Sequence, residues 1–208
     1  MKFLFFCLLI AVSANSFAQD QREPEVVFKG EGRIQMENGD VQEGYISYSY
    51  VNSTHVHIKT ADEKTERIRR SEVKFFEIDD IYFEKISQGT GIVIGDDTEF
   101  AIRKTPENSK IKVYETINQG RIGSGSPAEY STNRSVIVYF PDQKPKSIND
   151  LSLSPFHRRV SRLVADCPTL SKKISEKEDG YSIGLRTSPQ ARVEIYLRLA
   201  DEYTNCNQ

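Results

Sequence analysis

The chain has 208 residues, of which 38% are apolar, 28% charged and 10% aromatic. That is the balance of a globular domain and excludes a disordered, fibrous or multi-span membrane protein. Lys plus Arg number 28 against 30 Asp plus Glu, a formal net charge of −2 that gives no excess for nucleic acid or an anionic membrane.

Only the extreme N-terminus is apolar throughout. Lys2 precedes a ten-residue apolar run, Phe3 to Val12, and Ser16-Phe17-Ala18 puts small residues three and one before a cut ahead of Gln19. This is the layout of a secretory signal peptide over residues 1–18, too short for a stable bilayer span. The expectation is export to the periplasm or the medium, with no transmembrane segment after cleavage. Cleavage removes Lys2 and Cys7 and leaves 190 residues, with 27 basic and 30 acidic side chains. Cys167 and Cys206 then remain in an oxidising compartment, where a disulfide can form. Closing their 40-residue loop is worth about 4 kcal/mol on the chain-entropy model. Spacing alone does not bring the two Cα atoms within reach, so pairing stays open at this level. Neither cysteine belongs to a C-x-x-C pair, which argues against redox catalysis.

From residue 25 to about 148 the hydrophobic period is two. Glu25 to Phe28 and Arg33 to Met36 lead to Asn38-Gly39, the pair that hairpin turns favour because both central residues take positive φ. Val41 to Tyr50 returns. In Thr54 to Thr60, Val56 and Ile58 face one way and His55, His57 and Lys59 the other. After a turn at Ala61 to Lys64, strands are expected at Glu66–Arg69, Val73–Ile78, Ile81–Ile86, Gly91–Ile94, Glu99–Arg103 and Lys110–Ile117. Gln119 to Asn133 holds three glycines, a proline and four Ser or Thr, which reads as an exposed loop before the strand Arg134–Phe140.

After Ser152 the period becomes helical. Ser154-Pro155 reads as an N-cap with proline in the first turn, and Phe156, Val160, Leu163 and Val164 form an apolar stripe opposite Arg158, Arg159 and Arg162. Asp166-Cys167-Pro168 breaks and restarts the helix, with Leu170 and Ile174 on its buried side, and Gly180 ends it. Ser188-Pro189 repeats the cap before a third helix, whose buried face is expected at Val193, Tyr196, Leu197 and Ala200. The fold class expected is α+β, mostly β: an antiparallel sandwich or barrel-like body over residues 19–150, then two or three helices over 151–208 packed on it.

Gly32-Arg33-Ile34, Asn38-Gly39, Gly44-Tyr45-Ile46 and Asp166-Cys167-Pro168-Thr169-Leu170 give the chain a likeness in layout. It resembles a group of uncharacterised exported proteins of Bacteroidetes with a β-rich body and a C-terminal helical Asp-Cys-Pro-x-Leu segment. The resemblance implies an exported location and carries over no activity.

Candidate sites are few. His55 and His57 share a strand face and are the best metal candidates, yet zinc or copper needs further donors and the remaining histidine, His157, lies on a helix. Asp79-Asp80 and Asp96-Asp97 with Glu99 could hold calcium or form an acid–base pair, but turn chemistry already explains them. Ser71-x-x-Lys74 and Ser109-x-x-Lys112 fall in strand-like sequence, where Ser and Lys three apart point to opposite faces. Gly123-Ser124-Gly125 lacks nucleophile-elbow spacing, and Gly89, Gly91 and Gly95 do not fit the dinucleotide fingerprint. In Tyr45-Ile-Ser-Tyr-Ser-Tyr50, Tyr48 and Tyr50 share a face and suit either a partner surface or a core edge. The arginine face of the first helix, with Lys172 and Lys173, reads as a solvated face or a contact for an acidic partner. No cofactor is implied. The functional expectation is a non-catalytic envelope module binding an envelope protein or a glycan, not nucleic acid; the alternative is a secreted hydrolase using Asp and Glu carboxylates.

Overall fold

The computed structural model describes residues 26–50, 53–87, 98–122, 129–141, 143, 146–147, 155–184 and 186–206. The leader expected over residues 1–18, the strand expected at Gly91–Ile94, and Asp96-Asp97 lie outside the described residues. The protein is α+β and mostly β. Its strands are β1 (Val27–Met36), β2 (Val41–Ser49), β3 (His55–Lys59), β4 (Thr65–Arg69), β5 (Val73–Ile78), β6 (Ile81–Ser87), β7 (Thr98–Arg103), β8 (Lys112–Ile122), β9 (Glu129–Tyr139) and β10 (Lys146–Ser147). Three helices follow among the described residues, α1 (Phe156–Leu163), α2 (Pro168–Ser175) and α3 (Pro189–Asn205). Among the described residues no helix is long and apolar enough to cross a membrane.

The ten strands form one antiparallel sheet in the order β10-β9-β8-β7-β6-β5-β1-β2-β3-β4. Two meanders are joined where β5 returns beside β1. The first half of the sheet rolls over on itself. β2 and β7 are four strand steps apart, roughly 19 Å if flat, yet the rings of Tyr48 and Phe100 are 6.0 Å apart. Arg70, just beyond β4, lies 5.5 Å from the ring of Phe100, across six steps that would measure about 29 Å in a flat sheet. Inside the roll, Ile34, Ile46, Val56, Ile58, Phe76, Ile78, Phe83 and Phe100 alternate inward with period two and bury a barrel-like core.

The second half continues past the roll, and the helices cover the same face. Val113 and Val138 pack there against Phe156, Val160, Leu170, Ile174, Tyr196 and Leu199. Ser188 caps α3 by accepting the backbone N–H of Ala191 at 3.2 Å, as its Ser-Pro signature implies. Its buried face is Ile195, Tyr196, Leu199, Ala200 and Tyr203, with Val193 and Leu197 only partly buried against the same core. Cys167 and Cys206 form a disulfide with Cα atoms 5.9 Å apart, tying the start of α2 to the end of α3. The Tyr203 hydroxyl donates to Asp166 at 2.7 Å beside it.

Two expectations need correction. Residues 119–122 and 129–133 are not loop but pair as β8 and β9, with Asn118 opposite Asn133 and Gln119 opposite Thr132. Ladder hydrogen bonds are made by backbone, so a polar sequence extends a hairpin without burying apolar side chains. At Glu37–Asp40 only Gly39 has positive φ, +95°. Met36 accepts the Gly39 N–H, and Asn38 Oδ1 accepts the Asp40 N–H at 3.0 Å, which makes a wider turn than a two-residue hairpin.

Candidate anion-binding groove

α1 is short and amphipathic. Phe156 and Val160 face the helix–sheet core, and Val164 follows them there. The helical period therefore puts Arg158, Arg159 and Arg162 on the opposite side. With Pro155 and Leu163 these three arginines line a groove. Arg158 and Arg162 are exposed and Arg159 half-buried.

Several other cations sit against carboxylates. Arg33 meets Glu77, Lys85 meets Glu37, Arg103 meets Glu84, Lys104 and Arg134 meet Glu115, and Lys173 meets Glu202. No described carboxylate lies within 4.0 Å of Arg158, Arg159 or Arg162. Lys146, on the edge strand β10, is held below the usual lysine range by burial first and by the charge of Arg159 second. His157 is lowered likewise by burial, then by Lys177 and Arg158. Positive charge is thus concentrated around α1 in a chain that is slightly acidic overall. Beneath it, the Tyr196 hydroxyl is buried without a hydrogen-bond partner among the described residues. Burial raises its pKa strongly, while Arg159 and Arg192 oppose the rise.

The sites expected from sequence are distributed as follows. Tyr48 and Tyr50 are buried in the rolled core, 0% and 3% exposed, with Tyr48 edge-on to Phe76 and Phe100. They lie inside the roll with their hydroxyls buried rather than at a core edge with the hydroxyl at the surface, and they offer no ring to a partner. Tyr45, on the opposite face of β2, is the exposed tyrosine, at 45%. His55 and His57 do share an outer face of β3, but the residues directly opposite on β4 are Arg69 and Arg67, which repel a metal cation. Among the described residues no three His, Cys, Asp or Glu come together as a metal site. Asp79 takes positive φ, +50°, in the β5–β6 turn, and its N–H donates to the Glu31 carbonyl at 2.7 Å. Asp80 follows in the same turn, exposed. Asp96 and Asp97, and the side chain of Glu99, lie outside the described residues.

One cluster had no sequence signal. Arg103 stacks 3.7 Å over the Tyr82 ring and donates to Glu84 at 3.3 Å, and the Tyr114 hydroxyl donates to the same carboxylate at 2.9 Å. These residues come from β6, β7 and β8 and meet only through strand register. Burial, then Glu84, raises the Tyr114 pKa strongly, and the same causes push Tyr139 up to about 12. Its charges answer one another, so the cluster clamps three strands and leaves no reactive group free.

No protein-family model, curated protein or solved structure matches this chain. The case for a function therefore rests on the chemistry of its surfaces.

Proposed function

We propose that this is an exported, non-catalytic binding module of the cell envelope that holds an anionic partner, protein or glycan, in the arginine groove of α1. The observation that carries the reading is the grouping of Arg158, Arg159 and Arg162 around one groove with no described carboxylate facing them. Guanidinium groups bind carboxylate and phosphate oxygens through paired, charge-assisted hydrogen bonds. Pro155 and Leu163 give the groove apolar walls beside the arginines. The leader-like N-terminus supports the envelope location. The test is capture of envelope components on the immobilised protein, compared with the charge-reversed variant Arg158→Glu/Arg162→Glu. An anionic component retained by the wild type and released by the variant supports the reading; equal retention overturns it.

A further inference from the structure

The outer face of β1–β4 carries a second cationic surface, built by register. Lys29 stands opposite Ser47, Ser47 opposite His57, and His57 opposite Arg67, so four strands contribute one cross-strand row. Beside it His55 stands opposite Arg69. The row spans three strand steps, about 14 Å. These five basic side chains are interrupted by no acidic residue, and no described carboxylate lies within 4.0 Å of Lys29, Arg67 or Arg69. Like charges directly opposed across an antiparallel pair are unfavourable, and a bound anion relieves them. In the next row Tyr45 is exposed, between Glu31 on β1 and Lys59 on β3.

We propose that this face is a binding site, separate from the α1 groove, for a linear acidic polysaccharide. Its carboxylates would lie along the Lys29–His57–Arg67 row and against Arg69, with a sugar ring on Tyr45. A glycan fits better than a lipid surface because these rows present no exposed aliphatic side chain for insertion, while an exposed phenol and the Ser47 hydroxyl suit sugar rings. The groups facing the histidines are Arg67 and Arg69 from β4, Glu72 from the turn after it, and Thr54, whose hydroxyl lies 2.7 Å from His55 Nδ1. Burial first, and Arg67 and Arg69 next, hold His55 below its ordinary pKa, with Glu72 opposing. An added anion favours the charged imidazole.

Fluorescently labelled oligogalacturonate, neutral dextran oligosaccharide and a single-stranded oligonucleotide are titrated with the purified protein at pH 7.5 and 5.5. Oligogalacturonate is expected to bind, more tightly at the lower pH, and dextran not to bind. Arg67→Ala/Arg69→Ala should weaken binding about tenfold, the scale of losing charge-assisted contacts. His55→Ala/His57→Ala should abolish the gain at low pH. In an Arg158→Ala/Arg162→Ala background, where the α1 groove is weakened, replacing Arg67 and Arg69 should cost the same tenfold, which separates this site from the α1 groove. All four replaced β3 and β4 side chains are on the outer face, and an unchanged thermal midpoint checks that the fold is kept. Unchanged affinity in the Arg67/Arg69 variant, loss in the α1 variant alone, or oligonucleotide binding as tight as the glycan overturns the proposal.

Discussion

At the residue scale, glycines govern how tightly the sheet can roll. A Cβ at Gly32 would collide with the Glu77 carbonyl of β5, and one at Gly44 with the Lys59 carbonyl of β3. Backbone cannot move aside as a flexible side chain can, so Gly32→Ala should cost at least about 3 kcal/mol, read as a fall in the urea midpoint. Gly39→Ala meets no atom within 4 Å and carries only the strain of its positive φ, about 1 kcal/mol. Similar losses for the two variants would contradict this account of the roll. Tyr196 makes a second residue-level prediction. Its buried hydroxyl has no partner among the described residues, so Tyr196→Phe should be neutral or slightly stabilising. Tyr114, Tyr139 and Tyr196 all have folded-state pKa values raised above the ordinary tyrosine value near 10. The unfolded chain therefore loses these protons first. Their contribution is full below about pH 10 and is lost as pH rises toward the folded values. Urea midpoints should fall between pH 10 and 12, and less steeply in Tyr139→Phe; a flat profile would contradict the burial of these phenols.

At the element scale, the helices are held by covalent and polar ties as well as by packing. Cys167 and Cys206 are 39 residues apart, so Cys206→Ser should lose about 4 kcal/mol on the loop-closure model, with a matching fall on reduction of the wild type. Next to this staple, Lys173 donates to Glu202, and the Tyr181 hydroxyl donates to the same carboxylate. Elements with local signals were legible in the sequence. The Ser188-Pro189 cap, the Cys167-Pro168 restart and the alternation of Val56 and Ile58 each depend on neighbours within a few residues, and each stands where the pattern put it. The β8–β9 hairpin was not legible, because Gln119 and Thr132 pair through backbone atoms that leave no trace in side-chain polarity. The α3 face was misplaced by a part-turn, because Ile195 and Leu199 differ in burial from Val193 and Leu197 only through how α3 lies on its core. Tyr48 and Tyr50 could not be assigned from alternation alone, since period two says that they share a face and not whether that face is inside the roll.

At the scale of the whole molecule, one sheet does two jobs. Its first seven strands roll over a core of their own, and the following strands offer the same face to three helices. That arrangement leaves the outer face of β1–β4 and the outer side of α1 turned away from both cores, and both carry basic residues without described acidic partners. Neither surface announces itself by composition, because the net charge of −2 averages them against carboxylates elsewhere. Arg158, Arg159 and Arg162 were visible as a helical stripe, but only the structure shows that they line a groove. The most direct test of the central claim is a salt series on the envelope component captured by the immobilised protein, run with wild type and with Arg158→Glu/Arg159→Glu/Arg162→Glu. The account expects a component that the wild type holds at low salt and releases as ionic strength rises, and that the reversed groove does not hold at all. Retention by the reversed variant, or retention indifferent to salt, would contradict it.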